Sequence, residues 1–163
     1  MQINIDQIDL IVFDFDGVLT NNLVFLNELG EEFVQCSRAD GLAFDFFRKI
    51  QKKVIILSTE KNAVVSARAR KLKVDVIQGV QDKCNELQLY LVDSSIDLKK
   101  VVFVGNDLND LRVMNACGFA FCPSDAHKVI KSRFSVLPVK GGHGVARSLL
   151  EDVFSIDLAS FYF

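Results

Sequence analysis

Several short apolar runs, each closing on polar residues, constrain this chain more than any other feature. Ile8 to Phe13 ends in Asp14 and Asp16. Val54 to Leu57 ends in Ser58 and Thr59. Val76-Ile77 precedes Lys83, and Val101 to Val104 closes at Gly105 before Asn106 and Asp107. Apolar runs without alternation read as strands buried on both faces. Between them lie helical spacings. Asp40 to Ile50 aligns Leu42, Phe46, Phe47 and Ile50, and further helices are expected over Asn62 to Leu72, Asp82 to Leu91 and Gly144 to Val153. Leu108, Leu111 and Met114 mark another helix face, and Phe119 to Phe121 and Phe134 to Val136 suit edge strands. Strands alternating with helices predict an α/β fold, a Rossmann-like doubly wound parallel sheet.

One segment departs from that rhythm. Residues 23–37, around Asn27-Glu28-Leu29-Gly30, read as an inserted β-hairpin. We expect a single domain over 1–163. Its apolar end, 154–163, carries Phe154, Ile156, Leu158, Phe161, Tyr162 and Phe163. A tail this aromatic is expected to dock on its own core or on a neighbouring subunit.

Composition excludes several classes. Half of the residues are hydrophobic, enough for one substantial core. The net charge of −2, with dispersed basic residues, argues against a nucleic-acid partner. The four cysteines form no Cys-x-x-Cys pair and there are two histidines, so reduced thiols are expected over disulfides or zinc. No segment reads as a signal peptide and no apolar stretch approaches the ~20 residues of a membrane span. A cytoplasmic enzyme suits these observations.

In open α/β sheets, ligands bind beyond the carboxyl ends of the strands, and that is where the polar clusters fall. Asp14 and Asp16, two apart, would point the same way on an extended segment. Gly17 permits a sharp turn close to a ligand. Two carboxylates held together cost several kcal/mol unless a cation compensates, and magnesium prefers oxygen ligands. Ser58 and Thr59 could hold phosphate oxygens, Lys83 could supply positive charge, and Asn106, Asp107, Asn109 and Asp110 could face a metal. Each has a plainer reading: a helix cap, a surface lysine, a solvated turn. Their convergence on strand ends argues against those readings together.

These residues resemble the haloacid dehalogenase superfamily of phosphatases. Asp14-Phe15-Asp16-Gly17-Val18-Leu19-Thr20 is similar to its first motif, Ser58 to the second, Lys83 to the third, and Gly105-Asn106-Asp107-Leu108-Asn109-Asp110 to the fourth. From about Ile8 to Glu151 the chain resembles the capless branch. That branch holds 3-deoxy-manno-octulosonate 8-phosphate phosphatases, nonulosonate 9-phosphate phosphatases, and phosphatase-like domains of acylneuraminate cytidylyltransferases. The resemblance implies a homotetramer assembled through the hairpin, a Mg2+ cofactor and a small phosphorylated sugar acid as substrate. Asp14 would be the nucleophile and Asp16 the acid and base. Asp14, the Asp16 carbonyl, Asn106 and Asp107 would hold the metal. Ser58, Thr59, Lys83, Glu60, Arg68 and Arg38 would bind phosphate or substrate.

Three departures stand out. Asn106 replaces the usual aspartate ligand. Arg38-Ala39 has one cation where a basic pair is usual. Glu60 stands where octulosonate phosphatases carry arginine, which tilts the expected substrate toward a nine-carbon 9-phosphate. The first two keep open a catalytically weak oligomerisation domain partnering sialic-acid activation. A phospho-acceptor receiver domain is disfavoured by Asp-x-Asp-Gly-Val after the first strand.

Overall fold

The computed structural model describes residues 3–162. The chain runs β1 (Leu10–Phe13), a hairpin of β2 (Thr20–Leu26) and β3 (Glu32–Cys36), α1 (Ala39–Lys49), β4 (Lys53–Leu57), α2 (Ala63–Leu72), β5 (Asp75–Ile77) and α3 (Lys83–Val92). It continues through β6 (Val101–Val104), α4 (Leu111–Ala116), β7 (Phe119–Cys122), α5 (Lys128–Lys131), β8 (Ser135–Val136), α6 (Val145–Ser148) and α7 (Leu158–Tyr162). Six strands form one parallel sheet in the order β5-β4-β1-β6-β7-β8. The chain starts in the middle, winds to one edge, then returns and winds to the other.

Side-chain alternation explains why the central strands are apolar throughout. Ile11, Phe13, Ile56 and Val104 join one core with Phe44 and Phe47 of α1, Val65 of α2 and Val145 of α6. Leu10, Val12, Ile55 and Phe103 join the other with Leu87 of α3, Met114 of α4 and Ile130 of α5. Helices therefore cover both faces, as the doubly wound expectation requires.

Several boundaries and faces differ from expectation. In α1 the buried residues are Asp40, Ala43, Phe44, Phe46 and Phe47; Phe46 and Phe47 lie inward as expected, while Leu42 and Ile50 are exposed. A polar residue within the stripe disguised its i, i+3, i+4, i+7 spacing. Leu108 is exposed in a 3-10 turn before α4. The hairpin starts at Thr20, whose pairing with Cys36 is followed by a bulge before Val24 meets Val34. β7 is interior to the sheet because β8 pairs outside it. The final helical segment changes pitch, α6 passing into a wider turn over Leu149–Val153.

The tail docks on its own core. Phe154 and Leu158 are buried, and Phe161 packs edge-on against Phe46 with ring centroids 4.8 Å apart. Lys49 Nζ sits 4.1 Å from the Phe161 ring centre. Phe163 lies outside the described residues. Among the described residues no helix is long and apolar enough to cross a membrane. Cys36, Cys84, Cys117 and Cys122 are free thiols, Cys84 and Cys122 buried.

Asp40 explains how the end of the chain is tied to its start. Its Oδ1 accepts from the main-chain N–H of Ala146 at 2.8 Å and of Arg147 at 3.4 Å, while Oδ2 is buried without a partner. Burial lifts its carboxyl from 3.8 to about 6, against the pull of those N–H groups and of Arg68. A folded-state pKa above the unfolded one means stability is greatest below 3.8 and declines as pH climbs through about 6. We predict that the melting temperature of wild type minus that of Asp40→Asn falls between pH 4 and pH 7. The swing should correspond to roughly 2–3 kcal/mol. Thermal melts of both proteins across that range check it; a flat difference would show that Asp40 does not titrate there.

Candidate active site

The winding reverses between β1 and β6, so a crevice opens at their carboxyl ends, where such sheets bind ligands. Asp14 follows β1, and its N–H still bonds the Val104 carbonyl at 2.9 Å. The backbone then leaves the sheet in a wide turn over Phe15–Leu19. Asp14 and Asp16 therefore sit on a turn, and strand alternation is not what brings them together. Gly17, at φ +76°, reverses the chain, and a Cβ there would lie 1.9 Å from the end of the Asn106 side chain. Thr20 Oγ1 accepts from the Gly17 N–H at 3.2 Å and donates to Asp16 Oδ1 at 3.4 Å.

This turn is braced from the far end of the chain. The Gly142 N–H bonds the Val18 carbonyl at 2.9 Å. A Cβ on Gly141 would lie 2.2 Å from the Gly17 carbonyl oxygen, so the two backbones meet without side chains between them.

Asp14, Asp16, Asn22, Ser58, Thr59, Asn106, Asp107 and Asn109 line one cleft of about 100 Å³. Ser58 ends β4, where its N–H bonds the Ile77 carbonyl at 2.9 Å and its Oγ accepts from the Glu60 N–H at 3.1 Å. Beneath the cleft, Lys83 is buried at the first turn of α3. Its Nζ lies 2.7 Å from Asp14 Oδ1 and 2.6 Å from Asp110 Oδ1. Asp82 caps the helix through the N–H groups of Cys84 and Asn85, which sets that first turn.

Two buried carboxylates thus share one ammonium. Burial and the Asp110 charge push Asp14 up to about 8, against Lys83 and the Phe15 N–H. Burial lowers the Lys83 pKa, but Asp14 and Asp110 outweigh it and hold the amine protonated. Asp16 is raised chiefly by burial and then by Glu60.

Asp107 lines the cleft, but its Oδ1 accepts from the Leu108 N–H at 2.7 Å. Asn106 Nδ2 donates to Asp14 Oδ2 at 3.3 Å and to the Asp16 carbonyl oxygen at 2.9 Å. Two oxygens, one of them main-chain, thus converge on that side chain. Among the described residues no three His, Cys, Asp or Glu side chains group where they could hold a metal ion.

Some expected site residues lie apart. Arg38 and Arg68 line a separate pocket with Asp45 and Lys71, and Arg68 donates to the Ser37 carbonyl at 2.6 Å. Glu60 Oε1 accepts from the N–H groups of Lys61 and Asn62 at 2.6 and 2.7 Å, so it shapes the start of α2 rather than projecting into the cleft. His143 and Arg147 bond locally, to the Gly141 carbonyl and to Glu151.

The expected site set gave no role to Thr20 or Asn22 and placed Asp110 only in a loop that could face a metal. Asp110 Oδ2 accepts from the N–H groups of Asn106 at 2.8 Å and Asp107 at 3.2 Å, besides its bond to Lys83 through Oδ1. Its place four residues after Asn106 was the available signal. Nothing in local sequence marks Asn22, whose φ of +63° sets it in the cleft wall.

A doubly wound sheet with an acid-bearing turn after its first strand, a buried lysine and an acidic-amide loop defines a class of hydrolase. Residues 45–149, more than half of the chain, match the haloacid dehalogenase-like hydrolase family. The chain belongs to that family. It is similar to the 3-deoxy-D-manno-octulosonate 8-phosphate phosphatase of Salmonella typhi, 29% identical over 148 residues, covering 90% of this chain and 79% of that protein. A solved structure assigned to the haloacid dehalogenase family, from Streptomyces avermitilis, superposes with a TM-score of 0.93 at 36% identity. That match covers 97% of this chain and 91% of the other. The octulosonate phosphatase of Moraxella catarrhalis, solved with magnesium, phosphate and its sugar acid, superposes with a TM-score of 0.88 at 25% identity. Here 96% of this chain and 95% of the other are covered.

The shared ammonium generates a stability prediction. Lys83→Met leaves Asp14 and Asp110 buried without their cation, and breaking such a buried cluster costs about 3–5 kcal/mol. Urea unfolding of both proteins measures it. A loss under ~1 kcal/mol would mean the carboxylates are neutralised by another route.

Proposed function

We propose that this chain is a magnesium-dependent phosphatase acting on a 2-keto-3-deoxy sugar acid phosphate through an aspartyl-phosphate. The observation that carries this reading is Asp14, held against Lys83 and opening on the same cleft as Asp16, Ser58 and Asn106.

The Asp14 carboxylate attacks phosphorus in line while the bond to the sugar oxygen breaks. Asp16 gives its proton to that departing oxygen, and the pKa that burial raises suits it to hold the proton until then. Water then attacks phosphorus, Asp16 takes the water's proton, and inorganic phosphate leaves with Asp14 restored. Lys83 Nζ faces the Asp14 oxygen that would carry the phosphoryl group's neighbouring charge. Ser58 Oγ already accepts a bond from the Glu60 N–H, which leaves its own proton to donate to a phosphoryl oxygen. Such fixed donors supply the larger part of catalysis in phosphoryl transfer.

Asp14 Oδ2, the Asp16 carbonyl and, with its amide turned, Asn106 Oδ1 would hold a magnesium ion, an oxygen donor set of the kind it prefers. Asp107 is a further carboxylate on the cleft wall. When bound, the cation would neutralise charge on the phosphoryl oxygens and bring the dianion to Asp14.

The octulosonate phosphatases similar to this chain support the substrate class. Glu60, standing where octulosonate phosphatases carry arginine, supports the nine-carbon 9-phosphate over the eight-carbon 8-phosphate. Arg68 and Arg38, in their separate pocket, do not supply the cation that an octulosonate carboxylate would use in this cleft.

The hairpin supports assembly with further copies of this chain, as a homotetramer. Leu23, Val24, Phe25, Leu26 and Phe33 expose apolar side chains on both faces of a two-stranded ribbon, a form marginal in isolation. Phe25→Asp should therefore yield a folded, smaller species in light scattering coupled to gel filtration. Unchanged mass would remove the hairpin from the interface.

Phosphate release from a panel of sugar-acid phosphates, with magnesium, tests the activity. Wild type should turn over, with the nine-carbon substrate ahead in kcat/KM, and Asp14→Asn should lose at least 1,000-fold (about 4 kcal/mol in barrier). Absence of turnover by a folded wild type leaves the oligomerisation role instead. Activity retained in Asp14→Asn would displace Asp14 as nucleophile.

A further inference from the structure

Asn106 Nδ2 donates to Asp14 Oδ2 at 3.3 Å and to the Asp16 carbonyl at 2.9 Å. A half-turn about Cβ–Cγ would bring Oδ1 to that point instead, where three oxygens would meet around a cation. The main chain need not move. The Asn106 N–H stays on Asp110 Oδ2 at 2.8 Å, and the Asn106 carbonyl still accepts from the His127 N–H at 2.8 Å.

We propose that Asn106 is an amide toggle for the cation. It donates to Asp14 and the Asp16 carbonyl in the cation-free protein, and it turns its oxygen inward when a divalent cation binds. This rests on the magnesium-dependent reading above and adds what the neutral amide does there. A carboxylate at 106 would have no donor to offer and would repel Asp14. An amide supplies two hydrogen bonds, which magnesium must displace. In the first setting both Asp14 oxygens are engaged, Oδ1 by Lys83 and the Phe15 N–H and Oδ2 by the amide. The nucleophile is thus masked until the cation arrives. An asparagine at this position trades cation affinity for a stable cation-free site.

Side-chain amide NMR of the wild-type protein tests the toggle directly. After chelator treatment the Asn106 NH2 pair should exchange slowly with solvent, and saturating MgCl2 should abolish that protection. Asn106→Asp gives the second measure. Its melting temperature in chelator should fall by several degrees, and calorimetry should show at least tenfold tighter Mg2+ binding. An unprotected amide without cation, or one unaltered by saturating Mg2+, overturns the toggle. So does an Asn106→Asp protein that melts no lower in chelator or binds Mg2+ no more tightly. If wild type hydrolyses a sugar-acid phosphate with Mg2+ while the amide is unaffected, the toggle falls and the phosphatase reading stands. If wild type neither binds Mg2+ nor releases phosphate, both fall.

Discussion

One ammonium between two buried carboxylates holds this site together. Lys83 Nζ, within 2.7 Å of both Asp14 and Asp110, sits where burial alone would make each charge unfavourable. None of the three is tolerable without the others, so the cluster forms as a unit or not at all. Asp110 extends the constraint. Its second oxygen fixes the N–H groups of Asn106 and Asp107, so the lysine that positions Asp14 also positions the loop opposite it. Gly105 completes the fit, since a Cβ there would lie 2.7 Å from the Asp110 side chain.

That economy separates what was legible in the sequence from what was not. The parallel sheet was legible because strands buried on both faces lose their alternation, and runs such as Val101 to Val104 admit few other readings. Asp14, Asp16, Ser58 and Lys83 were legible because each follows such a run. Asp110 read as a residue that could face a metal, but its partner is an amine 27 positions away, a relation only the fold creates. Arg68 shows the opposite failure. Its place on α2 matched a binding arginine, but the nearest main-chain acceptor, the Ser37 carbonyl, takes its guanidinium instead. Local sequence does not encode that competition.

Asp40 belongs with the residues hidden by chemistry. A carboxylate within an apolar helical stripe looks like a surface residue. Here it closes the N-terminal end of α6, whose first N–H groups have no partner within the helix. Phe46 and Phe47 of α1 were read correctly, and Leu42 and Ile50 were not, because a buried polar residue takes part in the inward face.

The glycines at 141 and 142 carry a consequence for how the protein is made. They press backbone to backbone against the turn that holds Asp16 and Gly17, yet they follow it by more than a hundred residues. A ribosome therefore exposes the acidic turn long before its brace exists. The growing polypeptide can pair β1 with β4 early, but the turn takes its working shape only after the last quarter of the protein emerges. Such distant pairings are slow to close. Chains that stop short of residues 141 and 142 are therefore left with an unbraced acidic turn.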